Sequence, residues 1–140
     1  MSIYLDASVV VPLFLIDPFG QRASAFLSAQ SARVYVSDFV SAEFASVVGI
    51  KLRNKALRLD EARAAFSNFD EWTRRYAQKA QTLAADIHVA ETMLRRLDLT
   101  LRAPDAISLA IARRLRAELA TFDVRMAESA RALGISLAAV

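Results

Sequence analysis

A chain of 140 residues, of which 55% are apolar, suits one domain that buries roughly two thirds of its unfolded surface, and it is too apolar to be disordered. The absence of cysteine and the single histidine exclude disulfides, thiolate zinc sites, cysteine nucleophiles and histidine-rich metal sites. Arginine supplies 15 of the 18 basic residues, which suits either a polyanionic partner or simply a solvated basic surface.

The N-terminal segment joins a short apolar strand to a carboxylate. Ile3–Leu5 predict a buried strand that ends at Asp6, and an apolar helix follows over about residues 7–15. A charge in so apolar a segment is costly unless it is paired, hydrogen-bonded or bound to a cation. Because the functional crevice of an open α/β sheet lies at the carboxyl ends of its strands, we predict that Asp6 is a site residue.

No apolar run in the sequence reaches membrane-spanning length, and Met1 and Ser2 lead directly into the first strand. We therefore expect a cytoplasmic protein without a leader peptide. Neither a linker nor an internal repeat interrupts the chain, so residues 1–140 are predicted to form one domain.

A glutamate on the apolar side of a predicted helix is the second unusual acid. A helix over residues 21–30 and a strand over 33–36 come first, and Ser37 then predicts the cap of a helix that runs to about residue 54. At about 100 degrees per residue, Glu43 falls within the arc of apolar side chains, which are Phe39, Val40, Val47 and Ile50. An ordinary boundary carboxylate remains the alternative for Glu43 considered alone.

A basic tail to this helix could follow a phosphate backbone or simply face water, and its residues are Lys51, Arg53, Lys55 and Arg58. The next helix opens at Asp60 and carries aromatic residues spaced to pack on one side: Phe66, Phe69, Trp72 and Tyr76. Such a stripe is more typical of a core or dimer interface than of a base-stacking surface. A further helix over about residues 82–96 contains His88, to which we assign no chemistry.

Two more acids lie at element boundaries near the C-terminus. Pro104 suits the first position of a helix, which places Asp105 in the first turn of an alanine-rich helix. A short strand over residues 118–122 ends at Asp123. A helix over 125–133, closed by a glycine, and a last strand over 135–137 complete the chain. The long crossovers between strands predict a three-layer α/β/α domain with a central parallel sheet of four to five strands.

Asp6, Glu43, Asp105 and Asp123 need a common explanation. Four carboxylates brought together without histidine, cysteine or a balancing lysine repel one another, and a divalent cation is the simplest remedy. An all-oxygen shell selects a hard ion, so we expect Mg²⁺ or Mn²⁺. Such a site activates water and stabilises charge on a phosphoryl group, which is the chemistry of phosphodiester cleavage.

Four segments resemble the successive motifs of the PIN-domain ribonucleases in order and spacing: residues 3–8, 41–44, 102–107 and 121–123. The spacing and total length are most similar to the VapC-type toxins of toxin–antitoxin pairs, over essentially the whole chain. The resemblance implies a homodimeric, metal-dependent endoribonuclease with the first strand in the middle of its sheet. It also implies an RNA substrate and a VapB-type antitoxin that wraps the toxin.

Carried over residue by residue, the resemblance makes the catalytic and metal-binding set Asp6, Glu43, Asp105 and Asp123, with Ser8 and Thr121 as supporting hydroxyls. After Asp123 the chain has no acid before Glu128, so the sequence leaves open whether the site binds one metal ion or two. The alternative function is a catalytically inactive PIN-like module that binds RNA or protein. A dehalogenase-like phosphatase is disfavoured because Ser8 stands where it needs an aspartate. A nucleotide-binding module is disfavoured because no glycine-rich phosphate loop is present.

Overall fold

The computed structural model describes residues 1–140 and contains four strands and seven helices. The strands are β1 (Ser2–Leu5), β2 (Arg33–Ser37), β3 (Ala77–Ala80) and β4 (Glu118–Ala120). The helices are α1 (Ala7–Phe14), α2 (Gly20–Ser28), α3 (Asp38–Arg53), α4 (Leu59–Tyr76), α5 (Ala84–Leu94), α6 (Ala103–Leu115) and α7 (Val124–Ala132). None of these helices is both long enough and apolar enough to cross a membrane.

All four strands are parallel and follow the order β3-β2-β1-β4, so β1 lies inside the sheet. Ile3, Tyr4 and Leu5 are each at most 1% exposed, because a strand covered by helices on both faces must be apolar throughout. The Asp6 amide donates to the Ala120 carbonyl at 3.0 Å and extends the pairing of β1 with β4 by one residue. The predicted three-layer α/β/α fold with a central parallel sheet is confirmed.

The fourth strand is not the one that the sequence predicts. β3 pairs with β2 from Val34↔Ala77 to Ser37↔Ala80 at one edge of the sheet. Its sequence, AQKA, contains no β-branched or aromatic residue, so nothing local indicates a strand, and the free edge of β2 determines its conformation. The predicted last strand over residues 135–137 is reduced to a single bridge between Leu137 and Leu119 of β4.

Two predicted apolar faces are displaced around their helices. In α4 the buried residues are Ala62, Ala65 and Phe69, whereas Tyr76 is 67% exposed. In α3 the buried residues are Val40, Phe44 and Val48, and Ile50 is exposed. The buried face of α3 is therefore rotated by about one residue from the predicted arc around Phe39 and Ile50, and that prediction was wrong. Phe44, and not Glu43, occupies the centre of the buried face. Glu43 lies at the margin of that face, where it is half-buried.

One ion pair of the fold is largely withdrawn from water. Arg114 of α6 donates through Nε and Nη2 to both carboxylate oxygens of Asp86, at 2.8 and 2.9 Å, and also to the carbonyl of Gln81. The Asp86 side chain is 3% exposed and that of Arg114 is 33% exposed. The pair fixes the start of α5 against α6, because Asp86 also accepts the amide of Leu83 at the beginning of α5.

A buried hydroxyl network joins β1 to two helices that carry site acids. The Tyr4 hydroxyl lies 2.7 Å from Ser37 Oγ and 3.2 Å from Ser108 Oγ. Ser37 caps α3 by accepting the Val40 amide, and Ser108 belongs to α6. Burial raises the pKa of the Tyr4 hydroxyl, so it stays protonated. The network therefore fixes the positions of α3 and α6 relative to β1.

Candidate active site

Asp6 lies directly after β1 and caps α1. Its Oδ2 accepts the Ser8 amide at 3.3 Å, the Ser8 hydroxyl at 2.8 Å and the Thr121 hydroxyl at 3.0 Å. The residue is only 7% exposed, so these donors compensate much of the cost of burying its charge. Ser8 also accepts the amide of Phe122, and Thr121 accepts the amide of Asp123. The two hydroxyls thus connect Asp6 to the loop that carries Asp123.

Three of the predicted acids sit at helix N-termini. Asp6 is the N-cap of α1, and Asp123 is the N-cap of α7, where its Oδ1 accepts the amides of Arg125 and Met126. Asp105 lies in the first turn of α6 and accepts the amide of Arg102 at 3.4 Å. The positive end of a helix dipole stabilises a nearby anion. The same helix ends make the region favourable for a phosphate.

Glu43 differs from the other three acids because it lies inside α3. Its Oε1 is buried and has no hydrogen-bond partner, which is costly for a carboxylate oxygen. Burial, together with the charges of Asp6 and Asp105, raises the pKa of the Glu43 carboxyl to about 7. Burial likewise raises the pKa of the Asp105 carboxyl, and the charges of Asp123 and Asp6 add to this effect. The four acids therefore act on one another electrostatically.

The arrangement fits a hard cation in its chemistry but does not form a closed ligand shell. The unpaired Glu43 oxygen and the mutual repulsion of the carboxylates are what an Mg²⁺ or Mn²⁺ ion would relieve. No three of the chain's carboxylate and imidazole side chains are grouped closely enough to hold a metal ion. Asp105 and Asp123 line a cavity of about 510 Å³ together with two basic residues, Arg102 and Arg125.

The other basic residues and the histidine lie elsewhere. The predicted RNA-contacting residues follow Glu43 in the chain and are Lys51, Arg53 and Lys55. The first of them, Lys51, is eight residues after Glu43, which corresponds to about 12 Å along the axis of α3. Arg53 and Lys55 are exposed and Lys51 is half-buried. His88 is exposed on α5, and its backbone carbonyl accepts the Thr92 hydroxyl at 3.2 Å. The basic side chains next to the acids are instead Arg102 and Arg125, which the sequence analysis did not single out.

The raised pKa of Glu43 predicts how stability depends on pH. The folded carboxyl binds a proton between about pH 4.5 and about pH 7, where the unfolded carboxyl has released it. We expect the free energy of unfolding, measured by urea denaturation in EDTA, to decrease as the pH rises through this window. Glu43→Gln should flatten the dependence, whereas Glu91→Gln, at an exposed position of α5, should not. If the free energy of unfolding of Glu43→Gln falls with pH as steeply as that of the parent, the raised pKa of Glu43 is contradicted.

We call the region around Asp6, Glu43, Asp105 and Asp123 the acidic crevice, and together with the fold it indicates the class of protein. The family model of the PIN domain matches residues 3–132, and the chain belongs to this family. The resemblance to PIN domains in the four sequence motifs is thereby confirmed. No curated protein matches the chain in sequence at a significant level.

Three solved structures are similar to this chain in fold. VapC20 from Mycobacterium tuberculosis, described as a sarcin–ricin loop cleaving toxin, has a TM-score of 0.73 and 20% identity, covering 91% of this chain and 94% of that chain. VapBC2 from Rickettsia felis, bound to a DNA fragment from its promoter, has a TM-score of 0.72 and 17% identity, covering 99% and 98%. FitAcB from Neisseria gonorrhoeae has a TM-score of 0.66 and 18% identity, covering 96% and 95%.

Proposed function

We propose that the chain is an Mg²⁺- or Mn²⁺-dependent endoribonuclease and the toxin of a VapBC-type toxin–antitoxin pair. The observation that carries the proposal is the electrostatic coupling of Asp6, Glu43, Asp105 and Asp123 in a member of the PIN domain family. The likeness in fold to VapC20 and to VapBC and FitAB complexes supports the toxin assignment and an antitoxin partner.

In the proposed mechanism, Asp6 and Asp105 would hold the ion, and Glu43 and Asp123 would complete the site. The bound ion would lower the pKa of water and neutralise charge on the phosphoryl oxygens. Ser8 and Thr121 hold the Asp6 carboxylate in one orientation through Oδ2. Glu43 Oε1, which has no hydrogen-bond partner of its own, is suited to orient the attacking water.

The surroundings of the acids suit a polyanionic substrate. Arg102 and Arg125 line the cavity of Asp105 and Asp123, and the N-termini of α1, α6 and α7 point to the same region. These groups would hold the phosphates next to the cleaved bond. Lys51, Arg53 and Lys55 would contact RNA further along α3. We propose that the protein acts in the cytoplasm as a homodimer.

A second candidate is a PIN-like module that binds RNA or protein without cutting it. The observation in its favour is that no three of the acids are grouped as metal ligands. Like charges repel, so a cation would have to draw their oxygens together. Whether that happens separates the two functions.

The test is RNA cleavage by the purified protein, followed by mapping of the new RNA ends. We expect cleavage with Mg²⁺ or Mn²⁺ and none with EDTA. Overexpression alone should arrest growth, and co-expression of a small DNA-binding protein from the neighbouring reading frame should relieve the arrest. RNA binding without cleavage under any metal condition would favour the binding module.

A further inference from the structure

Two phenylalanines from distant parts of the chain stack beside the acidic crevice. Phe19 lies at the start of α2, and Phe122 lies between β4 and α7, directly before Asp123. Their ring centroids are 4.5 Å apart and the ring planes differ by 16°. Arg22 places its guanidinium 5.4 Å from the Phe19 centroid and 5.0 Å from the Phe122 centroid. We call Phe19 and Phe122 the aromatic pair.

The aromatic pair is separate from the aromatic part of the core. Phe14, Phe44, Phe69 and Trp72 form their own edge-to-face and stacked cluster. The stacking partner of Phe19 is Phe122 instead. Phe19 is 37% exposed, so its ring is not needed to fill the interior. The Asp17 carboxylate accepts the Phe19 amide at 2.8 Å and fixes the backbone that presents this ring. A partly exposed, oriented ring beside Asp123 offers a face on which a flat ligand can stack.

A cavity of about 460 Å³ lies between the aromatic pair and α1. Its lining is mostly apolar and includes the two rings, but it also contains three polar residues, namely Ser8, Asp17 and Asp123. The other apolar residues of the lining are Ala7, Val11, Pro12 and Val47. Such a combination fits a nucleobase, which stacks on an aromatic face and offers amino and imino donors at its edge. Because Asp123 lines both this cavity and the one that contains Arg102 and Arg125, a polynucleotide chain could run from one to the other across the acids.

We propose that the aromatic pair binds one nucleobase of the RNA, on the side of the crevice opposite to Arg102 and Arg125. The inference rests on the proposed function, since it places this base next to the phosphate that is cut. A base held here would fix the register of the RNA relative to Asp6, and the pair would contribute to the choice of cleavage site. An apolar peptide side chain would contact only the apolar part of this lining, whereas a base can also donate hydrogen bonds to the Asp17 and Asp123 carboxylates.

The test measures binding of fluorescein-labelled single-stranded RNA by anisotropy. All proteins carry Asp6→Asn, so that the RNA stays intact. Adding Phe19→Leu removes the exposed aromatic face, and we expect the Kd to rise at least about fivefold. The matched control is Phe66→Leu, because Phe66 is also 37% exposed but lies on α4; its Kd should stay unchanged. Phe19→Trp should retain tight binding.

The salt dependence of the Kd distinguishes the loss of base stacking from the loss of a charged contact to phosphate. Phe19→Leu should leave the slope of log Kd against log salt unchanged, whereas Arg125→Gln should reduce it. Equal affinity of the Phe19→Leu and Phe66→Leu proteins, or no RNA binding by the Asp6→Asn protein, would overturn the proposal. If the parent cleaves RNA but Phe19→Leu binds RNA as tightly as the control, the base site is contradicted and the nuclease function is not. If Phe19→Leu weakens RNA binding but the parent does not cleave RNA, the nuclease function is contradicted and the base site is not.

Discussion

Asp6→Asn should reduce metal-dependent RNA cleavage at least about 100-fold while leaving the melting temperature unchanged or higher. The carboxylate is the most buried of the four acids, and its charge contributes to the raised pKa values of Glu43 and Asp105. Asparagine keeps one oxygen to accept from Ser8 and Thr121, so the cap of α1 survives. Its loss of charge relieves repulsion in the metal-free protein.

The control for Asp6→Asn is Asp60→Asn, which changes the net charge equally at an exposed position of α4. We expect it to cleave RNA at the parental rate. End mapping and initial rates on one RNA preparation would compare the three proteins. Cleavage by Asp6→Asn at the rate of Asp60→Asn would contradict the assignment of Asp6 to the metal site.

Arg114→Met should lower the free energy of unfolding by about 3 kcal/mol, because it leaves the Asp86 carboxylate buried without its partner. Arg96→Met is the matched control, since Arg96 also donates through Nε and Nη2 to one aspartate, Asp98, but at the surface. We expect that variant to lose at most about 1 kcal/mol. Urea denaturation of both variants provides the comparison. Similar losses would show that burial of Asp86 does not determine the strength of the pair.

The three acids nearest to element boundaries could be found from sequence because each follows a strand or opens a helix. Asp6 follows β1 directly, and Pro104 marks the helix start that places Asp105. The predicted strand over residues 118–122 ends earlier, at Ala120, so Asp123 does not end it but caps α7. Glu43 was harder to place, because a periodicity of 3.6 residues does not distinguish the centre of a face from its margin. Phe44 takes the centre, and Glu43 therefore lies at the margin of the face, where it is half-buried.

The remaining features depend on contacts between distant segments. β3 has no strand-forming residues of its own and becomes a strand only beside β2. Asp86 has the sequence signature of a helix-start acid, and Arg114 stands in a run of basic residues, so neither indicates its partner. The aromatic pair joins residues that are separated by about a hundred positions and belong to two loops. Local patterns contain no information about such pairings, which arise when the sheet brings the loops together.

The central claim is that the four acids converge on a site that binds a hard cation, and a thermal unfolding titration with Mn²⁺ tests it most directly. A ligand that binds only the folded state raises the melting temperature by mass action. We predict that Mn²⁺ raises the melting temperature of the parent and of Asp60→Asn by several degrees and leaves that of Asp6→Asn unchanged. Equal shifts in all three proteins, or no shift in the parent, would contradict the claim.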